Sequence, residues 1–271
     1  MTNSQHRLRA VIFDWAGTTV DYGCMAPAIV FREVFARQNV EITLAEAREP
    51  MGLAKRDHIR MITGMPRVVA RWLAAHGRPP DEDDVAVMYA AFAPLQIAAL
   101  ADYATLIPGT LETVAACRER GFKIGSTTGY NQAMMDVLLP EAARHGYTPD
   151  ACVTPDDVAA GRPAPWMALL NASKLDVYPM AAIVKIGDTL PDIAEGLNAG
   201  MWTIGLTQSG NQLGLNQTEA EALMPEDLTT RLDVITQHMI EAGAHYTAAT
   251  IADVPAILDQ IEARLRDGER P

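Results

Sequence analysis

The sequence predicts an α/β fold, a doubly wound parallel sheet interrupted early by a helical insertion, and three observations predict it. A short apolar run, Ala10-Val11-Ile12-Phe13, stops at Asp14 and the turn-rich Ala16-Gly17-Thr18-Thr19, as a buried strand does where it meets a loop. From about Ala26 to Ala101, apolar residues recur at helical spacing and no strand run interrupts them. After Pro108-Gly109, strands and helices alternate to the C-terminus, which requires a parallel sheet covered on both faces.

The elements follow in order. Behind the first strand, Asp21-Tyr22-Gly23 reads as a linker, and Ile29, Val30, Val34 and Phe35 mark the first helix of the insertion. Thr43 with Glu46 three residues on is a capping-box pattern, and the acidic cluster from Asp81 to Asp84 opens a helix at Val85. Pro50, Pro66 and Pro79-Pro80 divide the insertion into several helices, and 102–109 is the return linker. Then come a helix over 110–120 closed by Gly121, a strand over 122–128 and a helix over 132–144. A strand over 151–153, a helix over 166–175, a strand over 182–186, a helix over 192–199 and a strand over 201–206 complete the alternation. The tail reads as a helix over 225–242, an edge strand over 246–251 and a last helix over 254–266. The predicted division is a Rossmann-like catalytic core of residues 1–22 and 103–271, with a helical cap domain of residues 23–102.

Composition narrows the class. The 271 residues are 49% hydrophobic, enough for a sizeable core, and 34 Asp+Glu outnumber 22 Lys+Arg, so a basic nucleic-acid footprint is not expected. No run is read as a membrane span or a signal-peptide core. Cys24, Cys117 and Cys152 are widely and irregularly spaced, which predicts neither a disulfide framework nor a CxxC metal site and points to a reducing cytoplasm.

Ligands of open α/β sheets bind beyond the carboxyl ends of the strands, and four polar clusters fall at such ends. They are Asp14-Trp15-Ala16-Gly17-Thr18, Ser126-Thr127-Thr128-Gly129, Gly161-Arg162-Pro163-Ala164-Pro165, and Gly187-Asp188-Thr189 with Asp192 just after. Taken singly, each is an ordinary turn or helix cap. Together they supply what phosphoryl transfer needs: a nucleophilic carboxylate in Asp14, donors at Thr128 and Gly129, a cation in Arg162 and a Mg2+ carboxylate in Asp188.

In their order and spacing these clusters resemble the haloacid dehalogenase superfamily, over nearly the whole chain. Its usual Asp-x-Asp-x-Thr motif reads Asp14-Trp15-Ala16-Gly17-Thr18 here. The resemblance implies that the missing second Asp would have been the acid/base of ester chemistry, and that the Ala16 carbonyl still ligates Mg2+ beside Asp14 and Asp188. Ala16 cannot transfer a proton, which argues against a phosphate-ester phosphatase or phosphomutase. Haloacid dehalogenation needs no metal, so Asp188 and Asp192 argue against it; a non-catalytic phosphate-binding protein is the remaining alternative.

A P–C bond offers a way out, because its carbanion leaving group needs an electron sink, and a lysine imine is one. Met51-Gly52-Leu53-Ala54-Lys55-Arg56-Asp57-His58 in the insertion carries the candidate Lys55. Helical spacing is expected to set Met51, Lys55 and His58 on one face, with Arg56 and Arg60 depressing the lysine and His58 carrying protons. Ala16 and Lys55 together resemble the phosphonatase family within that superfamily. That resemblance implies hydrolysis of phosphonoacetaldehyde, an active site including Cys24, Tyr130, Met51 and His58, supporting roles for Thr18, Thr189 and Asp192, and a homodimer.

Overall fold

The computed structural model describes residues 7–271. The chain runs β1 (Ala10–Phe13), α1 (Met25–Ala36), α2 (Leu44–Arg48), α3 (Lys55–Gly64), α4 (Pro66–His76), α5 (Glu82–Leu100), α6 (Thr110–Glu119) and β2 (Lys123–Thr127). It continues α7 (Gln132–Arg144), β3 (Ala151–Val153), α8 (Trp166–Lys174), β4 (Ile183–Gly187), α9 (Leu190–Asn198), β5 (Trp202–Leu206), α10 (Gln217–Glu221), α11 (Pro225–Glu241), β6 (Tyr246–Ala248) and α12 (Val254–Arg266).

Six strands form one sheet in the order β3-β2-β1-β4-β5-β6, every pairing parallel. β1 is central and its successive residues serve opposite faces. Val11 and Phe13 join the large core shared with α6 and α12, while Ala10 and Ile12 pack with Ala168, Ala172 and Met201 on the other side. The chain moves outward from β1 in both directions, so the crevice beyond the carboxyl ends of β1, β2 and β4 is the topological switch point where such sheets bind ligands.

The five helices α1–α5 stand over that crevice. The predicted capping boxes are present, Thr43 with Glu46 at α2 and Asp81 with Asp84 at α5. Pro66 occupies the first turn of α4, where its missing N–H costs nothing. Phe31 stacks between His58 and Phe92, at centroid distances of 3.8 and 4.4 Å, tying α1, α3 and α5 together. Two adjacent segments join these helices to the sheet. Val20 bridges Leu106 antiparallel, Ile107 N–H donates to the Thr19 carbonyl, and Asp21 N–H to that of Thr105.

Several expectations need correction. α5 runs unbroken through Pro94, and with its extension to Tyr103 it is long and apolar enough to cross a membrane by length and composition, contrary to the reading that no run was. Its apolar stripe of Val85, Met88, Phe92 and Leu100 is buried within the protein. The strand after Gly121 is confined to Lys123–Thr127, and Ala182 belongs to a 3-10 turn before β4. α9 starts at Leu190, two residues early, because Thr189 caps it with Asp192 as the reciprocal partner. The edge strand ends at Ala248, and Ile251 opens a 3-10 turn instead. The short helix α10, capped by Asn216, was not foreseen.

Candidate active site

The first loop is built around Asp188. Gly17 has φ +82°, and a Cβ there would strike the Asp188 carboxylate and the Cys24 sulfur, so glycine is required by both backbone and space. The resulting turn points Thr18 Oγ1 at Asp188 Oδ1 (3.1 Å), while Cys24 Sγ (3.3 Å) and Asn211 N–H (2.8 Å) donate to Oδ2. Burial pushes the Asp188 carboxyl up to about 8, with Asp14 adding to the effect. Burial and then Asp188 also raise the Cys24 thiol, which keeps it a protonated donor.

Asp14 leaves the end of β1 buried, its Oδ1 accepting from Arg162 at 2.8 Å. Burial raises its carboxyl, and Arg162 offsets part of the rise. The Arg162 guanidinium is fully enclosed. It also donates to Glu195 and Thr127 Oγ1, both at 2.9 Å, pairs with Asp192 at 3.0 Å, and reaches the Gly52 carbonyl at 3.4 Å. Behind it Lys185 donates to Asp192 at 2.6 Å, and Thr189 Oγ1 to the same carboxylate at 2.5 Å. Burial alone would raise Asp192, but Arg162 and Lys185 outweigh it and hold the carboxyl low.

Lys55 approaches from the insertion. Its Nζ sits over the ring of Tyr130 at 4.9 Å and that of Phe31 at 5.8 Å. Burial lowers the amine to about 8, and among neighbouring charges Arg162 pushes it down further. The expectation that Arg56 and Arg60 would depress it is corrected: both side chains turn outward to Glu82. The single helical face is corrected too. Lys55 is the first residue of α3, and Met51 to Ala54 form a turn in which Gly52 takes φ +94°.

Met51 nevertheless reaches the cavity. Asp14, Ala16, Cys24, Met51, Lys55, Thr128, Gly129, Tyr130, Arg162 and Thr189 line one enclosed space, with Pro27 and Gly52. Thr18, Asp188 and Asp192 lie outside that lining, where Asp188 and Asp192 meet Asp14. His58 is also outside it. The His58 ring is buried, and Nε2 lies 2.9 Å from the Ala47 carbonyl, which can only accept, so that nitrogen carries the proton. Nδ1 is thereby left as an unpartnered lone pair, and burial, then Lys55, holds the imidazole well below its usual range. The cavity measures about 20 Å³, room for roughly one water. No ligand larger than a water fits that space as it stands.

Carboxylate oxygens of Asp14, Asp188 and Asp192 lie within 4.8 Å of one another, all buried, and could hold a metal ion. Burial keeps the Asp14 and Asp188 carboxyls raised, and a divalent cation between them would favour their ionised forms. An all-oxygen donor set suits a hard cation.

Glu195, Thr127, Lys185, Arg48 and Asn211 had no assigned role in the sequence reading. Glu195 stands three residues after Asp192, one turn along the same helix, and that spacing was the available signal. Arg48 and Asn211 come from segments far apart in the chain and had none.

A parallel sheet with its acids at the switch point defines a class. The sequence model for haloacid dehalogenase-like hydrolases matches residues 8–200, and the chain belongs to that family. Within the class its full-length likeness is to proteins named phosphonoacetaldehyde hydrolase. The one from Syntrophobacter fumaroxidans is 50% identical over 97% of this chain and 95% of its own length, and one from Bacillus cereus is 50% identical over 94% and 97%. The crystal structure of a phosphonoacetaldehyde hydrolase-like protein from Oleispira antarctica superposes with a TM-score of 0.96 at 41% identity, covering 97% of this chain and 96% of that one. A putative β-phosphoglucomutase from Bacteroides vulgatus, at 18% identity and a TM-score of 0.67, shares the fold.

Proposed function

We propose that this enzyme hydrolyses the P–C bond of phosphonoacetaldehyde to acetaldehyde and phosphate. The observation that carries the reading is a buried lysine, lowered to about 8, facing Asp14 across one cavity whose usual second acid is Ala16. The mobile part is residues 23–102, closing on the core of residues 1–22 and 103–271.

Lys55, neutral in a good fraction near pH 8, adds to the aldehyde and loses water to give an imine. His58, one turn along α3, is the proposed proton carrier for that step through its unpartnered Nδ1, a weak base because burial and Lys55 hold the imidazole low. Asp14 then attacks phosphorus, the P–C bond breaks, and its electron pair moves into the imine to give an enamine. Arg162, Thr128 and the Gly129 backbone hold phosphoryl oxygens, with Arg162 passing from Asp14 to the developing charge. Protonation of the enamine and hydrolysis of the resulting imine release acetaldehyde and restore Lys55. Water hydrolyses the aspartyl phosphate and releases phosphate.

Asp14, Asp188 and the Ala16 carbonyl would hold Mg2+, whose contribution is to neutralise charge on the phosphoryl group. Thr18 and Thr189 orient Asp188 and Asp192, Met51 and Cys24 line the aldehyde side, and Tyr130 shields the lysine from water. The free thiols fit a cytoplasmic enzyme. A homodimer is proposed with apolar cap residues such as Ile29 and Met61 exposed, and light scattering of the purified chain tests it.

The direct assay supplies phosphonoacetaldehyde and Mg2+ and measures both products. Equal release of acetaldehyde and phosphate, with simple phosphate esters turned over far more slowly, is the expected result. Efficient ester hydrolysis without acetaldehyde release would overturn the reading in favour of a phosphatase.

A further inference from the structure

The segment after β5, residues 207–215, touches Asp188 and the loop around it on one side and the helical insertion on the other. On the core side, Ser209 Oγ donates to the Gly17 carbonyl at 2.8 Å and Asn211 N–H to Asp188 Oδ2 at 2.8 Å, and Gly210 lies so close to Asp188 that a Cβ would collide with it. On the other side, Arg48, the last residue of α2, sends its buried guanidinium into the same segment. It donates to the Gly23 carbonyl (2.7 Å), Asn211 Oδ1 (3.1 Å) and the Gly214 carbonyl (3.0 Å), while Asn211 Nδ2 donates back to the Arg48 carbonyl at 2.9 Å. Asn211 is therefore gripped in both directions by the insertion and grips Asp188 with its own backbone. Arg48 is also three residues before Met51, at the head of the turn that delivers Lys55.

We propose that Arg48 and Asn211 form a clasp that makes cap closure and the orientation of Asp188 a single event. Closure brings the Arg48 fork onto Asn211, the side-chain exchange fixes that residue, and its N–H then sets Asp188 for the metal. An open cap leaves Asn211 without a partner and Asp188 less well held, so metal is bound well only when Lys55 is also in place. Arg48 and Asn211 are positioning residues and touch neither substrate nor metal. The proposal rests on the function given above, in which Lys55 and the Asp14–Asp188 pair must meet.

The test uses the full-length enzyme and the variants Asn211→Ala, Arg48→Ala and the double variant. Asn211→Ala removes the exchange with Arg48 while retaining the backbone N–H to Asp188, so it keeps the test valid if Arg48→Ala folds poorly. Three quantities are read: turnover of phosphonoacetaldehyde, Mg2+ affinity by calorimetry without substrate, and borohydride trapping of the aldehyde on Lys55. The clasp predicts that turnover falls at least tenfold and Mg2+ affinity at least fivefold in each single variant. Trapping stays equal or quickens, because Lys55 becomes more accessible. It also predicts that the double variant is no worse than the poorer single one within about twofold, because the two residues share one interaction. Unchanged Mg2+ affinity, losses that multiply in the double variant, or trapping that falls in step with turnover would each overturn it. Failure of the unmodified enzyme to trap the aldehyde would instead overturn the role of Lys55, so the two failures are distinguishable.

Discussion

Lys55 is an exposed-type residue placed where water is scarce, and its reactivity follows from that placement. An amine lowered to about 8 by burial is mostly charged at pH 6, and its neutral fraction rises about tenfold per pH unit until the titration is passed. The rate of borohydride trapping should therefore climb with that slope and flatten above pH 8; a solvated lysine would keep climbing past pH 10. Glu195 acts one step back from the chemistry, holding Arg162 Nε and Thr127 Oγ1 with one oxygen. Losing a charge-assisted hydrogen bond costs about 1.5–3 kcal/mol, so Glu195→Gln should lower kcat/KM by roughly ten- to a hundredfold, and steady-state kinetics measure it. Asp14, Thr128, Arg162 and Asp188 were legible because each stands where a predicted strand or turn ends. Glu195 and Lys185 were not, since an acid on a helix and a lysine in a strand look the same in sequence whether they face water or a buried arginine.

At the scale of elements, two contacts govern how the helical insertion meets the sheet. A Cβ on Gly129 would strike the Leu53 carbonyl, the backbone of the turn that carries Lys55. On the proposed closure of the insertion, Gly129→Ala should hold that turn away and cut turnover at least tenfold, which steady-state kinetics measure. The second contact is Asp21, which accepts the N–H groups of Met25 and Ala26 at the start of α1 and whose carboxyl burial pushes up to about 7. An unfolded Asp gives up its proton near pH 3.8 while the folded one keeps it to about 7. The folded state thus binds more protons across that window, and stability falls as pH rises through it. Asp21→Asn keeps an acceptor for the same N–H groups and should remove that slope, a difference visible in melting temperatures compared at pH 5 and pH 8. Capping boxes at Thr43 and Asp81 were readable because their chemistry is local. The misjudged face of Met51, Lys55 and His58 was not, because a positive φ at Gly52 is imposed by the packing of that turn on Thr189.

The whole molecule carries a net charge of −12, and its reacting centre gathers three buried acids, Asp14, Asp188 and Asp192, whose oxygens lie close enough together to share one ion. That cluster predicts that chelation by EDTA stops P–C cleavage and that added Mg2+ restores it, while trapping on Lys55 continues, since the amine stands on a different part of the chain. The doubly wound topology was legible from alternation alone, and so was the insertion after the first strand. The contacts that join the insertion to the sheet were not: pairs such as Arg48 with Asn211 join residues far apart in sequence and leave no local signature.

The central claim is that Lys55 supplies the electron sink and Asp14 the nucleophile, and one measurement separates these roles. Enzyme incubated with phosphonoacetaldehyde and borohydride is digested and the adduct mapped by mass spectrometry, for the unmodified chain, Lys55→Arg and Asp14→Ala. The account predicts a reduced adduct on Lys55 in the unmodified chain and in Asp14→Ala, which releases no phosphate, and none in Lys55→Arg. An adduct-free unmodified enzyme that still releases acetaldehyde and phosphate would contradict it.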